Sequence, residues 1–259
     1  MSDQSTPTSA DSSTVLVLVH DADARRGRAE IGTVLPALEH AGLDVLVGTT
    51  VGSSELVTDL PDPQDLRAVV VMGSEAAAYD DAVPWLAREL AYVHRAVEVG
   101  TPVLGICFGG QLLARALGGS VRRGRAPEQG FVTIDVDAPR QIPAGPWMEF
   151  HDDVLTPPPS AVILARNRPG GLPGEVVQAF RQGRHLGVQF HPEITPPVFE
   201  AWIESWEAAG QLDDLAAAGV DIEALRAEIA ERAPVTEAAC RELVAGFLSR
   251  STVPSTRDT

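Results

Sequence analysis

Lysine is missing from this sequence: every one of its 20 basic residues is an arginine. That excludes chemistry that needs a lysine amine, such as a Schiff base or the phosphate-gripping lysine of a P-loop. Cysteine is almost missing as well. Cys107 and Cys240 are too few for a disulfide framework. Positive charge is scarce, with 36 acidic against those 20 basic residues and a formal net charge of −16. Such a surface repels phosphate backbones and argues against nucleic acid as a partner. Long apolar runs are absent too. The first residues, MSDQSTPTSADSS, lack a basic n-region, and the VLVLV behind them is too short for a signal core or a membrane span. The expectation is a soluble, cytoplasmic protein with no membrane partner.

What is present is an alternation of short β-branched runs with helical patterns. Residues 1–13 and 251–259 are polar and Ser/Thr-rich, and are expected to be disordered tails. Between them, TVLVLVH (14–20), DVLVGT, RAVVVMG and TPVLGI read as buried strands. RAEIGTVLPALEHAG (28–42) reads as a helix kinked at Pro36, and PWLARELAYVHRAVEVG (84–100) as a helix opened by proline and closed by glycine. This β-α-β order predicts an α/β fold, a three-layer arrangement with a parallel or mixed sheet flanked by helices. From 120 to 190, VTIDVD, WMEF, AVILAR, VVQAF and HLGVQF read as short strands joined by loops such as RPGGLPG. After 195 the pattern is helical over 197–209, 211–218, 221–232 and 235–249. The expected division is one domain over 14–195 with a helical C-terminal extension over 196–250.

Within PVLGICFGGQLLARALGG (102–119), a strand enters Gly105-Ile106-Cys107-Phe108-Gly109 and leaves as a helix. Gly-x-nucleophile-x-Gly at a strand-to-helix corner is the pattern of a nucleophile elbow. The turn lifts the central side chain above the sheet and sets it at the positive end of a helix dipole. The N–H of Phe108 would point into the same space, where it could bind an oxyanion. On its own the corner equally suits a small buried hydrophobe. Cys240, mid-helix in EAACRELV, has no such corner and reads as structural.

A thiol nucleophile needs a base. Of six histidines, His40 and His94 lie among charged helical neighbours, whereas His191 follows the strand LGVQF in His191-Pro192-Glu193. Extended backbone puts residues two apart on one face, so the imidazole and the carboxylate can pair. A carboxylate in that position fixes the tautomer of a catalytic histidine. Taken alone, the pair reads as a surface His-Glu pair.

Together, GICFGGQLLARALGG and GVQFHPEIT resemble the class I glutamine amidotransferases, the Cys-His-Glu family that includes the glutaminase part of GMP synthetase. VVVMGSEAAAYDDAVPWLARE resembles the family's oxyanion loop and following helix, PEQGF (127–131) a loop before the next strand, and FHDDV (150–154) its His-x-Asp substrate loop. The five segments run in the family's order over about residues 14–195. The resemblance implies Cys107 as nucleophile, His191 as general base and acid, and Glu193 as the group orienting it. It implies backbone oxyanion donors at Phe108 and in the Gly73-Ser74 turn. Ser74 replaces a usual glycine there, which puts that donor's geometry in question. Gln111, His151 and Asp153 match positions beside the substrate, and His151 either binds substrate or holds its loop.

The implied chemistry is thiolate attack on the side-chain amide of glutamine, through a γ-glutamyl thioester, with neither metal nor organic cofactor. Three readings stay open. One is a stand-alone glutamine amidotransferase-like amidohydrolase releasing ammonia for a separate synthase. Another is a γ-glutamyl peptide or amide hydrolase. The last is a catalytically silent relative with a binding or regulatory role. The stretch after Glu193 is too short for an ATP-using synthetase domain. Within it, Phe199, Trp202, Ile203 and Trp206 form an apolar stripe. It would either pack on the chain's own domain or meet a partner chain, as in a homodimer.

Overall fold

The computed structural model describes residues 12–52, 56–167 and 175–250. The two expected tails lie outside them apart from Ser12 and Ser13, as does RPGGLPG (168–174). Strands β1 (Thr14–Leu18), β2 (Asp44–Gly48), β3 (Ala68–Val71), β4 (Val103–Ile106) and β10 (His185–Val188) pair in parallel in the order β2-β1-β3-β4-β10. Three antiparallel strands extend the sheet beyond β10: β9 (Val176–Gln182), β8 (Val162–Asn167) and the two-residue β6 (Asp135–Val136). The result is one eight-stranded mixed sheet.

Period-two alternation along β1 sorts the layers. Val15, Val17 and Val19 pack with α1 (Ala24–Ala29), α2 (Val34–His40) and α7 (Ile222–Arg250) on one face. Leu16 and Leu18 pack with α3 (Leu86–Val99) and α4 (Phe108–Ala116) on the other. Buried on both sides, these strands are apolar runs rather than polar-apolar alternations, as parallel strands between helices must be. No helix among the described residues is long and apolar enough to cross a membrane.

Four local expectations are corrected. The helix over 28–42 does not kink at Pro36. It is two helices, α1 and α2, separated around Gly32, whose φ is +51°. Pro36 lies in the first turn of α2, where its missing N–H is an orphan in any case. PEQGF is not a loop but part of β5 (Ser120–Val132), and FHDDV is part of β7 (Trp147–Thr156). The two strands form a separate antiparallel ribbon with a register shift between Arg123 and Glu128. The helices expected over 221–232 and 235–249 are the single helix α7, which continues through Pro234. It does so because its second half is held by burial, with Cys240, Leu243, Val244 and Phe247 in the core.

The C-terminal helices pack back onto the domain. In α5 (Pro196–Ala209), Phe199 and Trp206 are buried against Met148, Ile194 and Ile229, and Trp202 and Ile203 pack half-buried on the same cluster. The short α6 (Leu212–Ala217) and the start of α7 close over it. The apolar stripe thus covers the chain's own core.

Candidate active site

The parallel strands end on one side of the sheet, and the site forms there, where α/β folds gather their ligands. β4 delivers Cys107, β3 delivers Gly73 and Ser74, and β10 runs on to His191 and Glu193. These residues line one cavity of about 640 Å³ together with Gln111, His151 and Asp153.

Cys107 is the only described residue other than glycine with a positive φ, at φ 50° and ψ −109°. Strained backbone of this kind persists only when its surroundings impose it. A Cβ on Gly105 would lie 2.3 Å from the Gly109 carbonyl oxygen, and one on Gly109 would lie 2.0 Å from that of Val71. The two glycines therefore let helix α4 seat directly against β3 and β4. The Cys107 N–H is tied to the Val188 carbonyl at 2.9 Å, which fixes the corner to β10. Ser74, by contrast, needs no left-handed backbone, so replacing glycine there introduces no strain. The N–H groups of Phe108 and Ser74 have no acceptor among the described residues.

His191 and Glu193 meet as their spacing predicts: His191 Nδ1 lies 2.7 Å from Glu193 Oε1, both residues buried. This pairing leaves Nε2 for chemistry, and that atom has no nitrogen or oxygen partner among the described residues. Burial acts to lower the His191 pKa, but the neighbouring Cys107 and Glu193 charges and their hydrogen bonds outweigh it and raise it well above the ordinary histidine value. An imidazole so placed can take a proton from the thiol and return it to a leaving group. Gln189 Nε2 also approaches Cys107 Sγ, at 3.7 Å, and Gln189 Oε1 accepts from Gln111 at 3.4 Å.

Around this centre the sequence-marked residues are joined by Thr33, Glu149 and Tyr79, which no local pattern pointed to. The loop between α1 and α2 grips the His191-Pro192-Glu193 backbone: Thr33 N–H donates to the Glu193 carbonyl at 3.2 Å and Thr33 Oγ1 to that of Pro192 at 2.9 Å. From α5, the Trp202 ring meets His191 edge-on at 4.8 Å. His151 is buried on β7 with both ring nitrogens engaged, Nδ1 by the Asp153 carbonyl at 2.9 Å and Nε2 by Glu149 Oε2 at 3.1 Å. Burial opposes its charge, yet Glu149 above all, then Cys107 and Glu128, push its pKa up to about 9. Asp153 accepts a hydrogen bond from Tyr79 at 3.2 Å at the cavity rim. Cys240 lies in the core beneath the α1–α2 loop, and burial pushes its thiol up to about 12.

The GMP synthase (glutamine-hydrolyzing) of Aeropyrum pernix is 40% identical over 119 residues, which cover 42% of this chain and 22% of that protein. That of Pyrobaculum aerophilum is 32% identical over 157 residues, covering 58% and 29%. The chain spans less than a third of the length of these relatives. In fold it is similar to a glutamine amidotransferase from Thermotoga maritima, with a TM-score of 0.75, 23% identity, and 91% of this chain and 97% of that one covered. It is also similar to a glutamine amidotransferase from Methylobacillus flagellatus, with a TM-score of 0.71, 21% identity, and 92% and 94% covered. A family model described as glutamine amidotransferase class-I matches residues 38–205, well over half of the sequence. The chain belongs to the class I glutamine amidotransferase family.

Proposed function

We propose that this chain is a glutaminase in which Cys107 attacks the side-chain amide of glutamine and releases ammonia for a separate acceptor enzyme. The observation that carries the reading is the buried pairing of His191 with Glu193 beside the strained Cys107 corner, at one wall of a cavity large enough for a small substrate. Cys107 gives its proton to His191, and the sulfur adds to the amide carbon. The resulting oxyanion takes hydrogen bonds from the N–H groups of Phe108 and Ser74, each such donor being worth about two to three decades in rate. The His191 imidazolium then protonates the amide nitrogen, the C–N bond breaks, and ammonia leaves a γ-glutamyl thioester. His191 next takes a proton from water, the hydroxyl adds to the thioester, and glutamate departs as the thiol is restored. Glu193 keeps the His191 tautomer and favours its charged form throughout.

His151 is assigned to holding β7 rather than to touching substrate, because the protein already occupies both of its ring nitrogens. The synthase as acceptor rests on the GMP synthase relatives. The test is ammonia release from L-glutamine by the purified chain and by Cys107→Ala, beside a panel of γ-glutamyl amides. Release by the first and none by the second supports the reading. Cleavage of a γ-glutamyl amide with glutamine untouched would give the site to a γ-glutamyl hydrolase instead.

A further inference from the structure

His20, at the end of β1, takes no part in the steps above, yet it is nearly sealed from solvent beside the oxyanion loop. Its Nδ1 lies 2.6 Å from the Gly73 carbonyl oxygen and its Nε2 lies 2.8 Å from Glu89 Oε1 on α3. The second Glu89 oxygen accepts from the Thr50 hydroxyl. Trp85 stacks on the ring at 5.2 Å and Phe108, the residue after Cys107, meets it edge-on at 4.9 Å.

The contact with the Gly73 carbonyl fixes one of the ring protons. A carbonyl only accepts, so Nδ1 carries a hydrogen. A second proton on Nε2, shared with Glu89 Oε1, makes the ring an imidazolium. The titration tendency agrees: burial would lower the His20 pKa, but Glu89 and the Gly73 hydrogen bond raise it above the ordinary value. A charge-assisted hydrogen bond to the Gly73 carbonyl is shorter and stronger than a neutral one.

The Gly73 carbonyl and the Ser74 N–H belong to one peptide unit. In a trans peptide the two groups point in opposite directions, so fixing one fixes the other. Gly73 borders the reacting pair, for a Cβ built on it would lie 3.3 Å from His191 Cε1 and 4.0 Å from Cys107 Cβ. We propose that His20 is a positioning residue that pins the Gly73 carbonyl so that the Ser74 N–H is held ready toward the oxyanion formed on Cys107. The Ser74 N–H is the donor this clamp presents, and Glu89 with Thr50 keeps the ring from turning. The inference rests on the proposed chemistry of Cys107 and assigns one of its two oxyanion donors to an anchor on β1.

Two near-isosteric variants separate a clamp from a space filler. His20→Asn places an amide N–H near the Nδ1 position and keeps a donor for Gly73, whereas His20→Gln reaches toward Glu89 and leaves the carbonyl unheld. Each is measured three ways: turnover of L-glutamine, inhibition by L-glutamate γ-semialdehyde, and alkylation of Cys107 by iodoacetamide. The aldehyde forms a thiohemiacetal that needs the oxyanion donors, and the alkylation needs only a reactive thiol. His20→Gln is expected to lose about 10²-fold in kcat with little change in KM, and to lose aldehyde affinity by a similar factor. Its alkylation rate should stay within a few-fold of the wild type. His20→Asn is expected to recover most of the kcat and aldehyde losses. Equal damage in both variants, or kcat and aldehyde affinity retained in His20→Gln, overturns the clamp. Failure of the wild-type chain to react with either reagent at Cys107 would instead overturn the reading of Cys107 itself.

Discussion

Gly32 stands so close to Glu193 that a Cβ placed on it would lie 2.0 Å from the Glu193 carbonyl oxygen. Its φ of +51° already excludes most side chains, and the contact is with backbone, which cannot swing aside. The turn between α1 and α2 is therefore fitted to the segment that carries His191 and Glu193. Gly32→Ala is expected to push that segment off its position, destabilising the protein by more than about 1 kcal/mol and removing most glutamine turnover. Gly42→Ala is the control: its φ is +76°, but nothing lies within 4 Å of the added methyl. It should cost stability through local strain alone and leave turnover intact. Thermal unfolding and an ammonia assay on both variants decide the matter, and equal turnover in the two would show that the Gly32 contact does not hold the site.

The two thiols should differ completely toward a glutamine-analogue electrophile. Cys107 opens onto the cavity at the head of α4, while Cys240 is sealed in the core with its thiol pushed up to about 12. Peptide mapping after treatment is expected to find label on Cys107 alone. Label on Cys240 with Cys107 untouched would contradict the assignment of the nucleophile.

Within the proposed trio the expected order of damage is Cys107→Ala about equal to His191→Ala, both greater than Glu193→Gln. The first two remove the group that bonds to carbon or moves the proton. Glu193→Gln keeps an acceptor for His191 Nδ1 at the same place and removes only charge. Because Glu193 helps raise the His191 pKa, the substitution should also lower the pKa of that ring, visible as a shifted histidine titration by NMR. An unmoved titration with unimpaired kcat would mean that the 2.7 Å pair has no part in turnover.

Cys107 and the His191–Glu193 pair are legible in the sequence because each is marked by neighbours along the chain: glycines two residues either side of the cysteine, and a proline between the other two. The parallel strands are legible for a related reason, since burial on both faces leaves an apolar run. β5 is not. SVRRGRAPEQGFV carries four arginines or glutamates in its first nine residues and a proline besides, and it becomes a strand only through pairing with β7, which comes later in the chain. His20, Thr33, Thr50 and Glu89 are silent for the same reason. They come from four separate stretches, none has a local pattern around it, and their contacts exist only once the sheet has formed. Pro36 and Pro234 mislead in the opposite sense, because a breaker is tolerated in a first turn and within a helix held by its buried face.

His151 makes stability depend on pH. Its pKa is about 9 in the folded protein against about 6.5 for an unperturbed histidine, so the charged form is favoured by folding. The contribution is fully present below about pH 6.5 and is lost as pH rises through about 9, and its upper bound is about 3–4 kcal/mol. His20 and His191 are shifted in the same direction, so their contributions also decline as pH rises. Urea unfolding at pH 6 and pH 9.5 is expected to show a smaller difference in His151→Gln than in the wild type. Identical differences would show that the His151–Glu149 pair is not charged in the folded protein.

The helix α5 should prove inseparable from the domain that precedes it. Trp206 and Phe199 fill a cluster with Met148 and Ile194, and the neighbouring Trp202 rests its ring edge-on against His191. Ending the chain near residue 196 would strip cover from Met148 on β7 and from Ile194, directly after Glu193, and the truncated protein is expected to aggregate. Trp206→Ala is the milder probe. Loss of a buried indole typically costs about 3–5 kcal/mol, so this variant should unfold at markedly lower temperature while keeping the residues around Cys107 intact. Trp202→Ala should do the reverse, because its side chain is half-buried and its partner is His191: a small loss of stability with a larger fall in kcat. Thermal unfolding and ammonia release measured on the pair separate the two effects. A soluble truncation with full turnover would show instead that α5 is an appendage and that its stripe belongs to another chain.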